Sequence, residues 1–143
     1  MSRFIKYPNI TDDIRAIRET VFIKEQGFLP ENEYDSNEDK STHCCLYEGD
    51  VLVAYARCFL EGGIAHIGRV SVLREFRGKG YGARIIGLAE KEISNCGGLI
   101  IEISAQIRTR GFYEKQGYEA CGDIFIGEGV PHIRMRKINQ CHK

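Results

Sequence analysis

The sequence predicts an α/β (α+β) fold, one mixed sheet with helices packed on it. Three observations predict it. Apolar residues alternate between strand-like and helix-like spacing, in the order β-α-β-β-β-α-β-α-β-β. Two tight turns, Glu48-Gly49-Asp50 and Gly62-Gly63, join consecutive strands. A basic, glycine-rich turn links an apolar strand to an amphipathic helix. The 143 residues suit one domain spanning 1–143. A chain of that size buries about 68–70% of its unfolded surface, so it builds a core without staples.

The elements follow in order. Arg3 to Tyr7 is a short strand ended by Pro8. Thr11 is a good N-cap, and Asp12 and Asp13 suit the positive end of a helix. Ile14, Ile17 and Val21 share one helical face, with Phe22 beside them, and Gly27 stops the helix. Pro30 to Ser41 is polar and acidic and is expected to be a loop. Thr42 to Tyr47 and Val51 to Leu60 form a hairpin, and Ile64 to Leu73 is the next strand. Helical spacing resumes at Ile85, Ile86, Ala89 and Ile93 and stops at Gly97-Gly98. Leu99 to Ala105 is a β-branched strand, Thr109 to Gln116 a short helix, and Gly117 its stop. Tyr118 to Cys121 and Ile133 to Lys137 are strands flanking an insertion, Gly122 to His132.

Lys plus Arg and Asp plus Glu each number 20, so the net charge is zero. That argues against nucleic acid as a partner, which calls for a basic excess. No apolar run reaches the roughly 18–20 residues of a membrane span, and the N-terminal residues carry no signal-like apolar stretch. A cytoplasmic location is expected. The six cysteines form no C-x-x-C pair and the four histidines lack zinc spacing, so no metal site is expected and the thiols are read as free. Vicinal Cys44-Cys45 and Cys141 are the redox candidates, with packed small hydrophobes as the competing reading.

The turn Arg77-Gly78-Lys79-Gly80-Tyr81-Gly82 carries the main chemical signal. Its glycines remove side chains where the backbone turns and comes close to something. It opens a helix, whose first N–H groups lack partners and favour an anion. Arg74, Arg77 and Lys79 add charge, so a phosphate cradle is expected. The P-loop string is absent. The dinucleotide pattern matches only formally, as Gly78, Gly80 and Ala83: four residues separate the strand from the first glycine, and an antiparallel hairpin precedes it.

The same turn resembles the pyrophosphate loop of the GNAT acyl-CoA-dependent N-acetyltransferases. Gly111-Phe112-Tyr113-Glu114-Lys115-Gln116-Gly117-Tyr118 resembles that family's short helix and the turn after it. Val21-Phe22-Ile23-Lys24-Glu25-Gln26-Gly27, and Gly129-Val130-Pro131-His132-Ile133 following Asp123, resemble its ElaA-like branch. The resemblance extends over almost the whole chain. It implies a mostly antiparallel sheet with helices on both faces, acetyl-CoA as cosubstrate, and an amine acceptor, small molecule or peptide. A homodimer would be usual.

The resemblance also assigns roles. Backbone groups of Val70, Ser71 and Val72 would bond the pantetheine and polarise the thioester, while the amides of Arg77, Gly78, Lys79, Gly80, Tyr81 and Gly82 hold the pyrophosphate. Tyr113 matches the acid that protonates the leaving thiolate; packing of the short helix is its alternative role. An amine with a pKa near 10.4 costs about 4.6 kcal/mol to deprotonate at pH 7, so a base helps. The candidates are Glu25, Glu102 in an otherwise apolar strand, and His132. Gln106 is a candidate for lining the acceptor cleft. His43 and His66 are read as sheet-surface residues, and the acidic loop Glu31 to Asp39 as either an attractor for a cationic amine or a solvated charge run. Direct acetyl transfer to a primary amine is the leading expectation, and a non-catalytic acyl-CoA-binding module the alternative.

Overall fold

The computed structural model describes residues 2–95 and 100–139. The expected helix stop at Gly97-Gly98, the strand start at Leu99, and Cys96, Cys141 and His142 lie outside the described residues. Strand β1 (Ser2–Tyr7) leads into helix α1 (Asp12–Arg18). The Thr11 hydroxyl accepts from the Ile14 amide at 3.2 Å, the cap expected of that residue. A π-helical stretch, Glu19–Glu25, continues α1 without a break. Gly27, at φ 75°, ends it.

Pro30 to Ser41 is not wholly a loop, because a short helix α2 (Pro30–Glu33) opens it. Strands β2 (Thr42–Glu48), β3 (Val51–Glu61) and β4 (Ile64–Val72) follow as the expected antiparallel run. Then come α3 (Tyr81–Asn95), β5 (Ile100–Gln106), α4 (Arg110–Lys115), β6 (Glu119–Ala120), β7 (Phe125–Gly127) and β8 (Val130–Ile138). The expected insertion at Gly122 to His132 is itself a hairpin: β7 pairs with β8, and Glu128 and Gly129 turn between them at φ 52° and 73°.

The eight-stranded sheet runs β1-β2-β3-β4-β5-β8-β6, with β7 also on β8. Every pairing is antiparallel except β4 with β5. Alternation along β2 sends Cys44 and Leu46 into the core under α3, and Cys45 and Tyr47 into the core under α1. Helices therefore cover both faces. The vicinal cysteines point apart, and burial pushes the Cys45 thiol up to about 12, which suits packing rather than thiolate chemistry.

Two irregularities shape the centre of the sheet. Across β3 and β4, Tyr55 faces Ser71 and Arg57 faces Gly68, so Ala56 lies opposite both Arg69 and Val70. This bulge holds Arg69 at φ 53°, a conformation few side chains adopt. The Arg69 guanidinium anchors it, donating to the Glu33 carbonyl at 2.9 and 3.2 Å. The second irregularity is a parting of strands. β4 and β5 pair only at Ile64–Ile100, Ala65–Ile101 and His66–Glu102, and from there to Val72 and Gln106 they run apart.

Behind the bulge lies a buried ionic cluster. Arg18 donates to Glu33 at 2.8 Å and to both Glu38 oxygens at 2.8 Å. Arg57 donates to Asp35 at 2.8 and 2.9 Å and to Glu38 at 2.8 Å. The carboxylates of Glu33 and Glu38 are thus buried against arginines, while Asp35, also paired with Arg57, stays partly exposed. His43, expected on a sheet surface, is fully buried here. It accepts from the Tyr55 hydroxyl at 2.6 Å and donates to the Glu38 carbonyl at 3.2 Å.

Candidate active site

The gap between β4 and β5 holds two connected chambers. The first, about 650 Å³, runs from the glycine turn to Tyr113. The second, about 310 Å³, lies beyond it toward β7 and β8. Gln26, Val70, Arg108, Thr109 and Tyr113 line both, so these five mark the junction.

The first chamber follows from local sequence. Gly78 and Gly80 sit at φ 76° and 86°, and their left-handed conformations turn the chain into α3. Gly80, Tyr81 and Gly82 line the chamber, so the unpaired first-turn amides of α3 adjoin it. Gly82 has a different reason to lack a side chain: a Cβ there would stand 3.1 Å from Phe112 Cζ. Phe112 thereby packs α4 against the start of α3.

Arg74 and Arg77 supply positive charge at the rim, both reaching Glu25 at the end of the π-helical stretch. Arg77 meets both Glu25 oxygens at 3.0 Å and also donates to the Val72 carbonyl at 2.9 Å. Burial alone would raise the Glu25 pKa, but Arg77 and Arg74 outweigh it and hold the carboxyl below its ordinary range. Lys79 does not line the chamber; its ammonium lies 5.6 Å from the Phe76 ring centroid.

Tyr113 is 8% exposed and lines both chambers. Its ring packs edge-on against Phe112 and Tyr118, at 5.0 and 6.1 Å between centroids. Burial raises its pKa, so the phenol holds its proton throughout the neutral range. Val70 and Val72 line the first chamber, whereas the Ser71 side chain is buried and donates to the Arg69 carbonyl at 2.9 Å.

His132 and Gln106 both line the second chamber. His132 Nδ1 lies 2.7 Å from the Val130 carbonyl, which can only accept. Nδ1 therefore carries the hydrogen, and Nε2 of the neutral ring keeps a lone pair. Phe125 stacks on the ring at 5.6 Å, and a Cβ on Gly127 would lie 3.1 Å from Nδ1. Glu102 lines neither chamber. It pairs with Arg136 at 2.8 Å and Arg134 at 3.3 Å, with His66 at 3.8 Å.

Neither Arg108 nor Thr109 is among the site residues expected from the sequence, and Arg69 is not either. Arg108 carries a faint signal, two residues beyond Gln106 where the strand ends. Arg69 carries none, because a left-handed bulge is ordinarily announced by glycine.

Comparisons with known proteins bear on the family and the fold. A family model described as an acetyltransferase (GNAT) domain matches residues 13–139. The uncharacterized N-acetyltransferase YjcF of Bacillus subtilis is 34% identical over 126 residues, covering 87% of this chain and 90% of that protein. An acyl-CoA N-acyltransferase from Pseudomonas aeruginosa superposes with a TM-score of 0.85 at 23% identity, over 96% of this chain and 99% of the other. Escherichia coli ElaA does so at 0.83 and 23%, over 96% and 99%. The two structural likenesses speak to the fold. The matched family model and the relative place the chain in the GNAT family, as an acyl-CoA-dependent N-acetyltransferase.

Proposed function

We propose that the chain transfers acetyl from acetyl-CoA to the primary amine of an acceptor by direct attack, with no acyl-enzyme. One observation carries this reading: β4 and β5 part beyond His66, and the gap joins a glycine-rich, helix-capped chamber to a second chamber at the Tyr113 phenol. In this reading the first chamber takes acetyl-CoA. The amides of Gly78 to Gly82 hold its pyrophosphate, the Arg77 amide being already given to the Arg74 carbonyl at 3.2 Å, and backbone groups of Val70, Ser71 and Val72, on the edge that β5 has left, bond the pantetheine and polarise the thioester carbonyl.

The amine enters through the second chamber. His132 Nε2 takes its proton, the nitrogen attacks the thioester carbon, and the tetrahedral intermediate expels the thiolate. Tyr113 donates the proton that the sulfur needs, and the second proton shed by the acylated nitrogen restores its phenol. His132 suits the base role better than Glu25 or Glu102, whose carboxylates are tied to arginines. A donor in the oxyanion position contributes about 10²–10³ in rate.

The test is free-thiol release from acetyl-CoA across an amine library, with calorimetry of acetyl-CoA binding alongside. Micromolar binding with turnover is expected. Gly80→Trp should abolish both, since it puts a bulky side chain at a left-handed position on the chamber wall. Binding without turnover of any amine would favour a non-catalytic acyl-CoA module, and absence of binding would remove the reading.

A further inference from the structure

We propose that the acceptor is a small amino-carboxylate, an amine with a carboxylate close by, and that Arg108 and Gln26 read that carboxylate. The inference rests on the acetyl-transfer reading above and specifies its second substrate.

Charge at the junction comes first. Glu33, Asp35 and Glu38, the carboxylates that a polycationic acceptor would seek, are engaged by Arg18, Arg57 and Arg69. Glu25 is held by Arg74 and Arg77. Arg108 is different. It lines both chambers, and among the described residues no carboxylate pairs with it. Its polar partner is a neutral amide: Nε donates to Gln106 Oε1 at 2.7 Å. A cation left unneutralised beside the reacting atoms suits an anionic group on the ligand.

The direction of the hydrogen bonds comes second. Gln106 spends its oxygen on Arg108, and its Nε2 donates to Gln26 Oε1 at 2.8 Å. Each of the two side-chain oxygens in this run already accepts one hydrogen bond. What remains at its two ends are donors, the terminal guanidinium nitrogens of Arg108 and the amide nitrogen of Gln26. A site that offers donors at both ends, one of them cationic, matches carboxylate oxygens. The Thr109 hydroxyl donates to the Gln106 carbonyl at 2.8 Å and keeps its lone pairs, so at the junction it suits a donor such as the acceptor's nitrogen rather than the carboxylate.

Size and placement come third. The second chamber, about 310 Å³, stands at the lower limit of small-molecule sites, which run from about 300 to 1,000 Å³. Arg108 and Gln26 line the same junction as Tyr113, where the amine must meet the thioester. The carboxylate and the reacting nitrogen therefore sit close together in the acceptor, as in an amino acid. Glu128 lines the chamber as well, and Asn32 donates to it at 3.2 Å. It does not line the junction, so it faces the remainder of the acceptor rather than the carboxylate.

The experiment is a thiol-release panel of free amino acids, each tested beside its carboxamide and its decarboxylated amine, with calorimetry of acetyl-CoA binding run in parallel. The free acids should exceed their partners in kcat/KM by roughly tenfold to a hundredfold, the value of one charge-assisted pair. Arg108→Gln should collapse that ratio toward one, chiefly through KM for the acid, while the Kd for acetyl-CoA holds. Equal or better turnover of the amides or plain amines would overturn the carboxylate assignment and leave the acetyl-transfer reading intact. A matching loss of acetyl-CoA affinity in Arg108→Gln would instead assign Arg108 to the cosubstrate. Turnover confined to amines outside the panel would also overturn the proposal. Absence of acetyl-CoA binding in the unsubstituted protein would remove the parent reading with it.

Discussion

Tyr113 combines two properties that a general acid needs, reach and a retained proton. It lines both chambers, and Phe112 and Tyr118 fix its ring from two sides. Burial favours the neutral phenol, so in the proposed mechanism the group would meet a departing thiolate with its proton in place. Tyr113→Phe keeps the ring and removes the proton. The expected result is a fall in kcat of about 10²–10⁴, the usual share of a positioned acid. Acetyl-CoA binding by calorimetry should stay at the level of the parent, because the phenyl ring preserves the wall. Unchanged turnover would show that water protonates the sulfur and that Tyr113 serves packing alone.

Elements differ in how openly the sequence declares them. Helix α1 was legible because Thr11 caps it and Ile14, Ile17 and Val21 repeat at helical spacing. The turn into α3 was legible because only glycine suits the backbone at 78 and 80. The hairpin of β7 and β8 was hidden by the glycines and proline of residues 122–132, which leave an apolar run of only Ile124 to Ile126, and by a turn that places Glu128 where glycine is usual. The ionic cluster was hidden for a different reason. Glu33, Asp35 and Glu38 share one acidic run, but Arg18, Arg57 and Arg69 lie in other segments, and no local spacing pairs them with it. The run reads as a charged loop and the arginines as surface charges, and only the tertiary fold makes them a unit. That unit ties α1, α2 and the β4 bulge together, so its loss is an element-scale event. Arg18 is wholly buried. Arg18→Met removes the arginine that Glu33 and Glu38 share and leaves them only Arg69 and Arg57, so up to about 3–5 kcal/mol of stability should be lost. Urea unfolding measures it directly. A change within about 0.5 kcal/mol, typical of surface sites, would mean the cluster relaxes to water on substitution.

At the scale of the whole molecule the buried titratable groups set a stability window. Burial lowers the His43 pKa from its ordinary 6.5. Its neutral form is favoured in the fold, so its contribution is present above pH 6.5 and declines as pH falls through that value. Burial would raise Asp35 and Glu38, but Arg57 outweighs it for Asp35, and Arg18 with Arg57 for Glu38, leaving both below their ordinary values of 3.8 and 4.5. Their contribution is complete above those values and is lost as acid protonates them. The tyrosines act at the other end. Burial is the leading cause that raises Tyr47, Tyr55, Tyr113 and Tyr118, so stability falls once the unfolded chain begins to ionise near 10.0. The melting temperature should therefore be flat from about pH 7 to 8. It should decline gently below about 6.5, steeply below about 4.5, and again above about 9, where the thiols of Cys45 and Cys58 and then the tyrosines ionise in the unfolded chain. Thermal melts followed by circular dichroism across that range test each limb separately. His43→Gln should remove the gentle decline near pH 6 while leaving the steep acid limb, because the arginine–carboxylate pairs do not depend on the imidazole charge. A gentle decline that survives in His43→Gln would assign that limb to another group and show that His43 takes up its proton within the fold.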